Sequence, residues 1–547
     1  MPDSDSLPKL GEDNLTNRTT WVYLLLVGFL TLYVGLLTNQ RHERMDTDAW
    51  EHHRAVKVMT ERLWPPEALG NPTYRADPPS IRYSPYSLAL ALGCRTTGLS
   101  PDVMMSVAGV FNTLLLGIGL VIFLGVFRCR SAATSVLLFM VLLYGRPTAY
   151  ANSIALSDLP WHQVNPSAFA FGLTLLTWAL YHQCLTRGRI VIASISCGLL
   201  AAIAILSHGM TGIFLVCGIL ALIIAAPRRT LGVELATFGA IVAIAFGLCC
   251  LWPWYDFLQA ALSKPDAWFW YIDGVLKKIV FVWGLPTLAL SIITIPMRKH
   301  PIIRFGHLCL LGTIVAAILA AILESALFMR LTFVGLTMVN LINGYAAAQT
   351  KLFDPRTWPG RLALIWKGER SPVVDVLMLL MIVYCSFFQL KTILREPHLA
   401  RPFLAPLMGR EDMQPMIWDT YQSVLSQVGS DDVVLADMRT MWPVPSFAGR
   451  IVAGLHLEFF ITDEVERRTD VEIFSEARDL ATIMTIVEKY DAQWILLDDR
   501  NRFWDTLHPL LPEEAEAARV RYLHLFDTEL LRPASESSDD AENQESP

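Results

Sequence analysis

Long apolar runs recur along most of this chain, and they limit its fold more than any other feature. Runs near 21–38, 103–126, 132–149, 164–184, 190–206, 211–226, 231–251, 275–296, 303–324, 326–346 and 373–392 each come close to the length needed to cross a bilayer, whose roughly 30 Å hydrocarbon core requires about 20 residues of helix. The expectation is a polytopic α-helical membrane protein with about eleven spans. Charged residues make up only 17% of the 547-residue chain, against about 25% in a soluble domain. Most of that deficit falls between 21 and 393, and residues from about 405 onward read as an ordinary soluble domain. The first run lacks a small-residue cleavage site, so it reads as a retained span rather than a leader.

The connections alternate in charge. With a cytoplasmic N-terminal tail, 1–20, the even-numbered connections carry Arg128 and Arg130, Arg187 and Arg189, Arg228 and Arg229, Arg298 with Lys299 and Arg304, and finally Lys351 through Arg370. All of these fall inside, as the positive-inside rule requires. An odd span count then places the C-terminal domain outside, in a plasma or inner membrane. The organisation expected is a membrane domain over 21–393 with a first external loop at 39–102, an extracytoplasmic α/β domain over 405–533, and an acidic tail, 534–547, too poor in large apolar residues to fold. In the α/β domain "DDVVLADM" (431–438) and "AQWILLDD" (492–499) read as strands, while 414–428 and 471–490 have helical periodicity.

Composition also excludes function classes. The net charge is −7 and no basic stripe is present, which argues against nucleic acid as a partner. The nine cysteines sit mostly in or beside apolar runs, with neither metal-type spacing nor a disulfide framework. No GxGxxG or P-loop pattern supports nucleotide binding.

Chemistry concentrates outside. Directly after the first span comes "MDTDAWEHH" (45–53). Asp48 and Glu51 have the spacing of a capping box, and His52 lies one turn beyond Asp48, close enough to pair with it. The following helix, with tryptophan at both ends and charges between, reads as interfacial. Asp46 stands outside the capping box and has no structural task of its own. Farther on, "GRPTAYANSIALSDLPWHQVNPSA" (145–168) offers Asp158, His162 and Gln163, either as a hydrated turn or as contacts for an acceptor or phosphate. His208 in "LSHGMTG" reads equally as a turn residue and as a phosphate or sugar ligand. Arg330, six residues after Glu324, suits either an ion pair or a lipid phosphate held by two parallel hydrogen bonds. The aromatic stretch 251–273 reads as a membrane-interface belt, or as a wall for a lipid chain or sugar. In the exported domain, 437–456 has the Gly, Pro and aromatic content of a binding loop, and that domain covers the site or selects the acceptor.

The pattern D-x-[DE]-A-x-x-H after a first transmembrane helix, filled here by Asp46, Asp48, Ala49 and His52, resembles the first external loop of the GT-C glycosyltransferases. These include the glucosyltransferases of lipid-linked oligosaccharide assembly, the protein O-mannosyltransferases and the oligosaccharyltransferase catalytic subunit. Tyr83 and Pro85 in "RYSPYS" are similar to the Y-x-P segment of the same enzymes. The resemblance implies a polyprenyl-phosphate-linked sugar donor, a protein, lipid or polysaccharide acceptor, and Asp46 as general base. A hydroxyl is a poor nucleophile near neutral pH, and a carboxylate within reach removes its proton in the transition state. Asp48 is open to three roles: a second carboxylate for a divalent cation (Mg or Mn), an acceptor ligand, or the helix cap. No cofactor is certain, because one carboxylate pair does not specify a metal. The contrasting expectations are a transporter or flippase, which would place polar groups at midspan in paired broken helices, and a non-catalytic assembly factor on the same scaffold.

Overall fold

Backbone polar groups have no partners in hydrocarbon, so apolar runs of this length close their hydrogen bonds internally and become helices. The computed structural model describes residues 17–39, 47–74, 79–142, 154–262, 294, 300–323, 326–349, scattered positions between 380 and 391, 417–454, 461 and 463–532. Along the chain the helices are α1 (Asn17–Asn39), α2 (Thr47–Glu61), α3 (Pro85–Thr97), α4 (Pro101–Val126), α5 (Ala133–Leu142), α6 (Leu159–His162), α7 (Pro166–Thr186), α8 (Ile190–Ser207), α9 (Gly209–Ala225), α10 (Leu231–Cys250), α11 (Phe257–Leu262), α12 (Pro301–Leu323) and α13 (Ala326–Gln349). The C-terminal region adds α14 (Ile417–Val424), α15 (Val444–Phe447), α16 (Glu464–Ser475), α17 (Leu480–Tyr490) and α18 (Trp504–Leu507), with strands β1 (Val433–Leu435), β2 (Arg450–Ile451), β3 (Trp494–Asp498), β4 (Glu516–Val520) and β5 (Leu523–Asp527). The chain divides into two compact units.

The first unit comprises Met1–Gln40, Val103–Leu251 and Ala267–Glu411. Among its described residues, five helical segments are long and apolar enough to cross a membrane, and the shorter apolar segments include Arg130–Leu142 and Gly209–Ala225. The protein is an integral membrane protein. The expected span at 275–296 lies outside the described residues, and the last one, 373–392, is described only at isolated helical positions. Inside the unit α8 packs between α7 and α10, α9 touches α7, α8 and α12, and α13 runs along α12 and α5. Trp178 anchors this packing. Its ring lies 5.0 Å from Phe305 and 5.4 Å from both Phe123 and Phe214, and its indole N–H donates to the Leu215 carbonyl at 2.9 Å. Side chains such as Leu25, Val191 and Ile322 point outward, each more than two-thirds exposed, as a lipid-facing surface requires.

Small residues let these helices approach closely. At Gly344 a methyl group would stand 2.6 Å from the Val136 Cα and 3.0 Å from the Ser135 carbonyl oxygen. Both neighbours are backbone, so neither yields easily. Gly344→Ala is therefore expected to destabilise the first unit by about 1–3 kcal/mol, seen as a lower apparent Tm in detergent; an unchanged Tm would contradict this packing.

The second unit combines Arg41–Asp102, Trp252–Asp266 and Asp412–Pro547. Its sheet has the order β2-β1-β3-β5-β4, with β1 parallel to β2 and β3, and β5 antiparallel to β3 and β4. The buried strands β1 and β3 are continuous apolar runs, as strands covered on both faces should be. The single helix expected over 471–490 is two helices. α16 stops at Ser475, and Asp479 starts α17 by accepting the Thr482 N–H at 2.8 Å.

The first loop is part of this core. Tyr74 is buried among the apolar side chains of the sheet and its helices. The Ile451 N–H donates to the Thr73 carbonyl at 2.9 Å, so the segment before Tyr74 satisfies a donor on edge strand β2.

Candidate functional site

α2 carries the motif residues from Asp48 to His52 and was expected to be an interfacial helix with its charges in water; its charges at 51–54 are instead buried. Glu51, His52, His53 and Arg54 are all at most 3% exposed, and Glu51 and Arg54 find polar partners within the second unit. The Glu51 carboxylate pairs with Arg82, whose guanidinium also approaches His52 Nε2 at 3.4 Å. Arg54 donates from Nη1 to the Thr73 hydroxyl at 2.5 Å and from Nη2 to the Trp442 carbonyl at 2.8 Å, and its guanidinium lies 5.6 Å from the centre of the Trp442 ring. Lys57 donates to the Phe447 carbonyl. Burial pushes the Lys57 ammonium pKa below its usual value; Glu61 acts against that shift and Arg450 adds to it. The Ser446 hydroxyl donates to the Trp50 carbonyl at 3.2 Å. One end of α2 is thus held by Thr73 and Arg82 and its flank by residues 442–447.

Helix α2 begins at Thr47, so Asp48 lies in its first turn, and the Glu51 carboxylate pairs with Arg82. Tyr83 is fully buried, and its carbonyl accepts the Trp252 indole N–H at 2.9 Å. Trp252 stacks near Trp254 (4.6 Å), which meets Trp64 edge-on at 6.3 Å. These tryptophans of the expected aromatic belt therefore pack on the first loop. Asp46, the expected base, lies outside the described residues, as does the side chain of Asp48. His52 and Tyr83 belong to the same unit as buried Glu51 and Arg54 and half-buried Arg82, none of which the motif marks as a site residue. The signal available for the arginines was their position: Arg54 inside the helix of the motif, and Arg82 beside Tyr83.

The remaining candidates belong to the first unit. Asp158 precedes the short helix α6; it receives the Ser157 hydroxyl at 3.2 Å, and its carbonyl accepts the His162 N–H at 3.0 Å. His162 is buried in the same turn. Gln163 offers its carbonyl to the Asn112 side chain of α4 at 2.7 Å. Asp158 and His162 are thus held together in one turn. His208 ends α8 and caps α9, its Nδ1 accepting the Thr211 N–H at 3.4 Å and facing the Thr211 hydroxyl at 2.7 Å. Nδ1 is used by the cap. Arg330 lies on α13, and its side chain is outside the described residues, as is Glu324. Among the described residues no group of three or more His, Cys, Asp or Glu side chains is placed to hold a metal ion.

No protein-family model and no curated protein matches the chain. Solved structures do. The chain is similar over 93% of its length, and over 98% of the other chain, to ArnT from Cupriavidus metallidurans bound to undecaprenyl phosphate, with a TM-score of 0.50 at 13% identity. It is similar over 89% of its length, and 70% of the other, to the oligosaccharyltransferase AglB from Archaeoglobus fulgidus, solved in complex with an inhibitory peptide and a dolichol-phosphate, with a TM-score of 0.44 at 12% identity. The chain therefore shares its fold with this ArnT structure.

Proposed function

We propose that this protein is a GT-C-type glycosyltransferase that moves a sugar from a polyprenyl-phosphate donor to an acceptor hydroxyl on the extracytoplasmic face of the membrane. The observation that carries the reading is the carboxylate pair Asp46 and Asp48, entering a helix that follows the first span, on a fold shared with a protein crystallised with undecaprenyl phosphate. Asp46 takes the proton of the acceptor, the acceptor atom forms a new bond to the anomeric carbon, and the bond from that carbon to the phosphate oxygen breaks. The polyprenyl phosphate leaves with the electron pair and stays in the bilayer. His52, Tyr83, Asp158, His162, His208 and Arg330 are the proposed substrate contacts, with Arg330 the group best suited to a phosphate. The basic connections support a cytoplasmic N-terminus and an extracytoplasmic second unit.

Labelled sugar supplied on a panel of polyprenyl phosphates, with membrane extract as the source of acceptor, should become attached to a non-donor product. A protein that carries the labelled donor across a vesicle membrane intact, with no transfer, would instead be a transporter.

A further inference from the structure

One large feature of the second unit takes no part in the chemistry above. A cleft of about 1250 Å³ opens where β1 runs out into Asp437 and β3 ends at Asp498. From β1 the chain goes to β2 on one side, and from β3 it continues to the opposite side of the sheet. The gap between β1 and β3 is thus a topological switch point, and ligands of open sheets bind outside the carboxyl ends of the strands at such points. The volume exceeds the roughly 300–1,000 Å³ of a typical small-molecule pocket.

Its lining has a definite chemistry. Half-buried Phe503 and Tyr522 supply aromatic surface, backed by the buried rings of Trp50 and Tyr421, which are only 6% and 4% exposed. Asp437, Glu472, Glu476 and Asp498 face Arg439, Arg500 and Arg502, four acids against three bases. The polar groups are fixed in advance. Asp498 holds Arg500 in a two-point pair (2.9 and 2.7 Å), with the guanidinium 3.2 Å from the centre of the Tyr522 ring. Asp437 accepts the Arg439 and Thr440 N–H groups at 3.1 and 3.3 Å. The Tyr421 hydroxyl donates to the Thr440 carbonyl at 2.8 Å; burial, and then Asp498, push its pKa up and keep it a neutral donor. The Tyr522 hydroxyl is shielded from solvent and makes no hydrogen bond among the described residues, a cost of about 1–3 kcal/mol unless a ligand supplies the partner.

Charges so nearly balanced select neither a phosphate nor a polycation. Aromatic faces beside paired acceptors and donors suit a neutral, polyhydroxylated ligand, whose C–H faces stack while its hydroxyls bond to both carboxylate and guanidinium. We propose that this cleft is a saccharide-binding site sized for a short oligosaccharide. Trp50 lies on α2, two residues beyond Asp48, so a glycan held there is presented to the helix that carries the motif. Its use for the acceptor rests on the glycosyltransferase reading, whereas saccharide binding itself does not.

The test is saturation-transfer difference NMR on the full chain in lipid nanodiscs. The probes are maltotriose, mannotriose and an arabinose trisaccharide, with inorganic phosphate and AMP as anionic controls. At least one trisaccharide should bind, and neither anion should displace it. Tyr522→Phe removes only the unpartnered hydroxyl; it should leave the fold intact and weaken binding by about three- to tenfold. Phe503→Ala, which also removes stacking, should weaken it further. Absence of binding by all three trisaccharides, displacement by phosphate or AMP, or equal affinity in wild type and Tyr522→Phe would each overturn the proposal. Because binding is read without turnover, a wild type that binds saccharide but transfers no sugar would overturn the proposed reaction and leave the cleft standing.

Discussion

Asp46→Asn is expected to slow sugar transfer by about 10²–10⁴-fold, the usual contribution of a positioned general base. Asparagine has nearly the shape of aspartate but cannot accept a proton from the acceptor, so the loss should fall on turnover while the protein stays folded and still binds polyprenyl phosphate. Asp48→Asn separates the alternatives at the second carboxylate. A loss confined to Asp48→Asn would move the base two residues along; a loss in both that extra Mg or Mn partly restores would make the pair a cation site. Initial rates for the three proteins at saturating donor provide the comparison.

Arg54→Met is expected to destabilise the second unit by about 3 kcal/mol, because it removes two charge-assisted hydrogen bonds from a fully buried guanidinium. The Trp442 carbonyl and Thr73 hydroxyl would lose that partner inside the core. For a unit of this size the apparent Tm should fall by about 6–12 °C. Arg54→Lys should recover only part of the loss, since an ammonium cannot reproduce the planar fork that reaches two acceptors at once. A Tm unchanged in Arg54→Met would show that α2 is not held by residues 73 and 442.

Much of this was legible in the sequence, for a physical reason. Hydrocarbon demands long apolar helices, so the runs from Trp21 to Gln349 announced themselves, and α1, α4, α7 and α10 end within a few residues of their expected limits. Strands β1 and β3 were equally plain, because a strand covered on both faces is a bare apolar run. The sheet's other strands were not. β2 is only two residues long, β4 is "EAARV", with two charged residues and no large apolar one but Val520, and β5 places a histidine among its apolar residues. Their pairing is tertiary information that local pattern does not carry.

The site divides in the same way. The motif at 46–52 is local and could be read directly. The burial of Glu51, His52 and Arg54 could not, because their partners lie at Arg82, at Thr73 and at Trp442, the last 388 positions away. A helix with this many charges normally faces water; here Arg82, Thr73 and the segment 442–447 supply the counter-charge and acceptors that accompany burial. His208 shows the converse. Its "turn" reading follows from a cap that a histidine before Gly-Met-Thr forms with the third residue along.

The most direct test of the glycosyltransferase reading is release of free polyprenyl phosphate. Wild-type protein and Asp46→Asn, purified in lipid and matched for folded content, would be given each polyprenyl-phosphate sugar together with membrane extract as acceptor source. Release by the wild type is expected with at least one donor, as is loss of that release in Asp46→Asn. Equal release by the two proteins would contradict the assignment of the base, and no release from any donor would contradict glycosyl transfer itself.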